Sequence, residues 1–207
     1  MKKRSLMLAA GLLMGSMAQA VTLLWSGAPV DNATTNLSTY MDGGRTTASM
    51  VLVVDWGSTT GSYSAICKLW GGMIGTNSWL QTGSNGTPQF WLEGKGGSDA
   101  SSVQATVGPE ANGRYVFTIE RNSGTVSIKV NGTTLYIWES TYTGLQIQPW
   151  MNGKPWTIGT MAVYDEILTQ DQIDLIKATG DATCVPEPTV LALLALGVAG
   201  VALRRRA

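Results

Sequence analysis

The chain has 207 residues with 14 basic and 14 acidic side chains, two cysteines and no histidine, which rules out Ser-His, Cys-His and His-metal centres. Its formal neutrality hides an asymmetry: the two terminal segments hold six of the basic residues and one acidic residue. The body between them is left with 8 basic against 13 acidic side chains, a net of minus five, which disfavours nucleic acid or an anionic lipid surface as partner.

In chain order, Lys2-Lys3-Arg4 is a basic start, Leu6 to Met14 an apolar run, and Ala18-Gln19-Ala20 a small-x-small site. Together they predict a signal peptide over 1–20, cut by signal peptidase before Val21. The apolar run falls short of the roughly 18 residues a membrane anchor needs. Segment 21–184 has the size of one ordinary domain. It is poor in charge, rich in Gly, Ser, Thr and Asn, and holds all eight tryptophans of the chain, a composition typical of extracellular β-domains.

Met50-Val51-Leu52-Val53-Val54-Asp55-Trp56 is a continuous apolar run rich in β-branched residues, so it predicts a strand buried on both faces. Tyr63 to Trp70 and Pro88 to Glu93 predict further strands, separated by glycine-rich loops. From Arg114 to Glu120, alternation puts Tyr115, Phe117 and Ile119 on one face. Asn122-Ser123-Gly124 turns the chain, and Val126, Ile128 and Val130 form the core face of the next strand. Asn131-Gly132 suits a type I′ hairpin, because both positions tolerate positive φ. Thr133 to Glu139 then returns as the third strand of a meander. Trp156 to Tyr164 predicts a strand interrupted at Gly159. Many short strands with glycine-rich turns imply an all-β sandwich.

One helix interrupts this pattern. Thr169 as N-cap with Gln172 three residues on makes a capping box, Leu168 and Ile173 occupy the hydrophobic-staple positions, and Gly180 stops the helix. Ile173 and Ile176 would dock it, leaving Asp171, Asp174 and Lys177 in water.

At the C-terminus stand Val185-Pro186-Glu187-Pro188, an uncharged apolar run over 189–203, and Arg204-Arg205-Arg206. The prolines stop any preceding helix, the run is apolar all round, and the arginines stay on the cytoplasmic side of a membrane. At about 1.5 Å per residue the run is short for a core about 30 Å thick, a gap the arginines reduce by snorkelling. Segment 185–207 resembles the PEP-CTERM sorting signal. That resemblance implies transient inner-membrane anchoring through 189–203, processing by an exosortase near Pro186-Glu187-Pro188, and delivery to the cell surface or extracellular matrix. A permanent single-span anchor is the alternative.

Cys67 and Cys184 lie on the exported side, so either a disulfide joins them or both thiols are free, with Cys184 then open to an intermolecular link.

The succession Asn112-Gly113-Arg114-Tyr115-Val116-Phe117-Thr118-Ile119, then Val126 to Gly132, resembles the central hairpin of laminin-G-like, concanavalin A-like domains. The stretches Ile158-Gly159, Ala162-Val163-Tyr164-Asp165 and Ile167-Leu168-Thr169 with Ile173 are similar to that family's closing segment. The resemblance spans 46–180 and implies a jelly-roll sandwich. Calcium at the sandwich rim is frequent in that family. Here Asn131 stands where an acid is common, Tyr115 where Trp is usual, and no Asp precedes Ala162, so the residues support no metal site and no cofactor is expected.

Glycoside hydrolysis needs two carboxylates flanking a sugar bond, about 5 to 9 Å apart. Asp165-Glu166 is the sole adjacent acidic pair, and neighbouring strand residues point to opposite faces, so no catalytic residue is assigned and the chain reads as a non-enzyme. Sugar binding is the better fit, since aromatic faces stack on pyranose rings while amides take the hydroxyls. Alternation sets Trp91 beside Gln89 and Glu93, Trp79 between Asn77 and Gln81, and Tyr136 with Trp138 opposite Leu135 and Ile137. Trp79, Trp91, Tyr136 and Trp138 are therefore the glycan-binding candidates, against the alternative that each fills the core. The expected function is an exported, non-catalytic binder of polysaccharide or surface glycan. A structural or adhesive protein that contacts other proteins is the competing class, and a concanavalin A-like glycoside hydrolase a third.

Overall fold

The computed structural model describes residues 21–42, 44–56, 64–71, 73–82, 88–91, 105–106, 113–140, 144–152, 154 and 156–186. The signal segment with Ala18 and Ala20, the tail from Glu187 through Pro188 to Arg204, Arg205 and Arg206, and the side chains of Trp91 and Trp138 lie outside them.

The strands, in chain order, are β1 (Leu23–Gly27), β2 (Thr35–Asn36), β3 (Thr47–Trp56), β4 (Ser64–Gly71), β5 (Gly75–Thr82), β6 (Pro88–Trp91), β7 (Ala105–Thr106), β8 (Arg114–Asn122), β9 (Thr125–Val130), β10 (Thr133–Glu139), β11 (Gln146–Pro149) and β12 (Trp156–Tyr164). A short helix α1 (Ser38–Met41) follows β2, and α2 (Gln170–Thr179) follows β12. The strands form two six-stranded antiparallel sheets, ordered β1-β12-β3-β8-β9-β10 and β2-β11-β4-β5-β6-β7, a jelly-roll β-sandwich. Leu23–Val185 makes one compact unit.

The meander predicted over 114–139 is the centre of the first sheet. Phe117 pairs with Val130 and Asn122 with Thr125 across a two-residue turn. In that turn Ser123 and Gly124 both have positive φ, as do Asn131 and Gly132 in the next one. Both match type I′ geometry, whose twist suits a hairpin. At Gly132 the φ of 82° favours glycine, and a Cβ there would also have to displace the end of the Gln170 side chain.

Between the sheets, Met50, Leu52 and Val54 of β3, Tyr115, Phe117 and Ile119 of β8, and Val126, Ile128 and Val130 of β9 share one core with Ile66, Cys67 and Leu69 of β4, Leu80 of β5 and Ile147 of β11. The opposite face of the first sheet is buried too. Val51, Val53, Val116, Ala162 and Tyr164 are closed from solvent there, together with Leu168, Ile173, Ile176, Ala182 and Val185 from the segment that contains α2. This is why β3 is apolar at consecutive positions.

Helix α2 is held as its sequence demands. The Thr169 side chain accepts from the Gln172 N–H, the Gln172 side chain accepts from the Thr169 N–H, and Gly180 closes the helix at φ of 76°. Asp171 and Asp174 are exposed, while Lys177 is half-buried rather than free in water. Arg114 ties the helix end to the sheet. Its guanidinium donates to both carboxylate oxygens of Asp55, at 2.6 and 3.2 Å, and to the carbonyls of Lys177 and Ala178. A cation at a helix C-terminus is favourable because the last carbonyls have no helical donor.

The disulfide considered for Cys67 and Cys184 is not formed, and both thiols are free. Cys67 faces the core between the sheets, whereas Cys184 follows α2, in the segment where the Tyr164 hydroxyl donates to the carbonyl of Ala182. The first sheet stands between the two cysteines. The Cys184 sulfur instead accepts from the Thr179 hydroxyl at 3.1 Å.

Candidate functional site

The outer face of the second sheet has no covering helix among the described residues, and its side chains are of a different kind from those facing the core. On β4, Lys68 and Trp70 alternate with buried Leu69; on β5, Trp79 and Gln81 alternate with buried Ser78 and Leu80; on β11, Gln146 and Gln148 alternate with buried Ile147 and Pro149. Register gathers them into rows. Gln146 pairs with Trp70, and Gln148 with Lys68, which pairs with Trp79, which pairs with Trp91. Residues paired this way share a face of the sheet.

Trp150 extends the row just beyond β11. Its N–H donates to the carbonyl of Ile66, and its ring lies 4.9 Å from that of Trp79 at 45°. The Trp150 indole N–H donates to Asn32 Oδ1 at 3.1 Å, an oxygen that also accepts from Gln148 Nε2 at 2.8 Å. Asn32 itself sits at φ of 57°, and its N–H donates to the carbonyl of Pro149. Next to it, Asp31 Oδ1 accepts from the N–H groups of Met151 and Asn152. Loop 31–32 thereby locks the Trp150 ring in place.

The Lys68 ammonium lies 5.2 Å from the Trp79 ring centroid and 5.6 Å from that of Trp70. Contacts of this kind are worth about 0.5 to 2 kcal/mol depending on desolvation. Trp70, Trp79 and Trp150 are each half-buried, and none belongs to the core between the sheets. The result is an aromatic surface with one cation at its centre and amides at its margins. Such a surface can stack on the apolar face of a sugar ring and hydrogen-bond its hydroxyls.

Of the four sequence candidates, Trp79 is on this face and Trp91 holds the adjacent register position. Tyr136 and Trp138 are elsewhere, on edge strand β10 of the first sheet. Tyr136 pairs with Ile128 and packs on the core, while Ile137 is the residue turned to solvent, 60% exposed. Trp138 pairs with Val126. Sequence reasoning passed over Lys68, Trp70, Gln148, Trp150 and Asn32. Alternation through Gln146-Ile147-Gln148-Pro149-Trp150 was a legible signal for part of this set.

The acidic pair Asp165 and Glu166 stands at the end of β12 in the other sheet. Thr47 donates to the Asp165 carbonyl and to Glu166 Oε2, and Ser49 donates to the Glu166 carbonyl, so the pair joins β3 to the turn before α2. Among the described residues no three His, Cys, Asp or Glu side chains gather as a metal site, and no helix is long and apolar enough to cross a membrane.

Residues 185–206 match the PEP-CTERM protein-sorting motif. The motif marks an exported protein processed by exosortase and carries a C-terminal membrane-anchoring signal. No curated protein matches the sequence. Among solved structures the chain is similar to galectin LEC-6 of Caenorhabditis elegans, at 14% identity and a TM-score of 0.43, covering 70% of this chain and 96% of that one. It is also similar to the sialidase of Trypanosoma rangeli, at 16% identity and a TM-score of 0.42, covering 66% of this chain. A third similarity is to domain 4 of the arabinanase AbnA from Geobacillus stearothermophilus, at 16% identity and a TM-score of 0.39, covering 64% of this chain and 66% of that one. The chain spans only 23% of the sialidase's length.

Proposed function

We propose that the protein is an exported, non-catalytic glycan-binding sandwich of laminin-G-like type, held briefly at the inner membrane and released to the cell surface or extracellular matrix. The observation that carries this reading is the Trp79 and Trp150 pair, 4.9 Å apart on the open face of the second sheet, with Lys68, Gln148 and Asn32 around it. Half-buried indoles outside the core, with polar groups in register beside them, are what a sugar-stacking surface requires and a core filler does not. The acidic groups support a non-catalytic reading, because the adjacent pair is engaged in joining β3 to the turn before α2.

A panel of soluble polysaccharides titrated against intrinsic tryptophan fluorescence tests the proposal. At least one should quench it, and Trp79→Ala should weaken that binding by about ten-fold or more, the equivalent of about 1.4 kcal/mol. If no polysaccharide binds and a matrix protein is captured instead, the adhesive reading takes its place.

A further inference from the structure

We infer that the ligand of this face is an acidic polysaccharide, one whose sugar units bear a carboxylate, with Lys68 as the group that selects it. The inference rests on the glycan-binding reading above and adds the chemical class. Lys68 is half-buried in the middle of the aromatic row, flanked by Gln148 on β11 and Trp79 on β5. Among the described residues its ammonium faces the rings of Trp70 and Trp79 and makes no ion pair. The first sheet is different. Arg114 is paired with Asp55, Arg121 with Asp42, and Lys129 with Glu120 at 2.6 Å. Lysine in that sheet is part of the protein's own charge balance, whereas Lys68 has no carboxylate partner among the described residues and lies on a surface already supplied with neutral donors and acceptors.

A neutral sugar would not need that cation. Gln81 and Gln146 make no side-chain hydrogen bond among the described residues, and Gln148 uses only its Nε2 group, on Asn32. These amides are enough for hydroxyls. An ammonium fixed between two indoles adds what the amides lack: a charge-assisted hydrogen bond to a carboxylate, in surroundings drier than open water. In the adjoining loop, Asp31 has one oxygen taken by the Met151 and Asn152 N–H groups, which offsets part of its repulsion. The body's net negative charge opposes long-range attraction of a polyanion, so selectivity must come from contact at Lys68 and must weaken with added salt.

The full-length protein, solubilised in detergent, is titrated with polygalacturonate and with the same polymer after its carboxyls are reduced to alcohols. Tryptophan quenching should show about ten-fold weaker binding of the reduced polymer. Lys68→Gln should remove that preference, so that the two polymers bind equally, and Lys68→Arg should retain most of it. Thermal unfolding of each variant establishes that it is folded. Equal binding of the two polymers, or a preference that survives in Lys68→Gln, overturns the acidic assignment while leaving glycan binding in place. If neither polymer binds but a neutral polysaccharide does and Trp79→Ala abolishes it, the acidic assignment alone fails. Absence of binding to every polymer overturns both.

Discussion

The two sheets spend their faces differently. The first is buried on both sides over its central strands β3 and β8: one face closes the core with the second sheet, and the other is covered by α2 and the chain up to Val185. Its polar groups are consumed internally, as in the Glu120 carboxylate, 4% exposed, which takes bonds from Thr118, Ser127 and Lys129. Among the described residues the second sheet buries one face only, and on the other it carries indoles, amides and an ammonium. The difference separates scaffold from site. Substitutions behind the first sheet should cost stability, and substitutions on the open face of the second should cost binding.

The largest stability effect is expected at Ile176, fully buried where α2 meets the first sheet. Ile176→Ala removes buried methyl groups and leaves a cavity, so urea unfolding should register a loss of about 2 to 4 kcal/mol. Glycan affinity of the molecules still folded should not change. A smaller loss, about 1 kcal/mol, is expected for Arg114→Met, because the Arg114 to Asp55 pair and its bonds to the end of α2 are partly solvated, with side chains 30% and 45% exposed. If Arg114→Met altered binding more than stability, the division between the sheets would be wrong.

Alkaline pH probes the core from within. Burial pushes the Cys67 thiol from its ordinary 9.0 up to about 12. The Tyr164 phenol is also raised, by burial first and then by the charges of Cys184 and Asp181. Between pH 9 and about 12 the unfolded chain loses the Cys67 proton while the folded chain keeps it. The contribution is therefore fully present below pH 9 and declines as pH rises toward 12. Urea midpoints should hold steady up to about pH 9 and fall above it, less steeply in Cys67→Ala. Native alkylation should label Cys184 and spare Cys67 until the protein unfolds. The smallest stability effect belongs to Trp79→Ala, whose half-buried ring lies outside the core and should cost roughly 1 kcal/mol or less while weakening binding.

Local chemistry made some of this legible and long-range geometry hid the rest. The hairpins at Ser123-Gly124 and Asn131-Gly132 and the capping box at Thr169 are fixed by neighbours a few residues apart, so spacing alone located them. Tyr136 shows how alternation misleads at an edge. A register shift between Thr134 and Tyr136 breaks the period of two, so Leu135 and Tyr136 both pack on the core and Ile137 turns outward. Strands β1, β2, β5, β7 and β11 carry no clear signal in the sequence, because each is short or only partly apolar, and β1, β2 and β11 are stabilised by partners far along the chain. For the same reason Trp150 was passed over: Trp79, its ring neighbour, is on another strand, and Asn32, its hydrogen-bond acceptor, comes from a loop near the start of the domain. A disulfide between Cys67 and Cys184 could not be judged from order in the chain, which does not say on which side of a sheet each cysteine lies.

Hydroxyl-radical footprinting with mass spectrometry, run with and without a bound polysaccharide, tests the division between the sheets most directly. The account predicts protection of Trp70, Trp79 and Trp150 with no change at Ile137 or along α2. Protection confined to β10 or α2, with those three indoles unchanged, would contradict it.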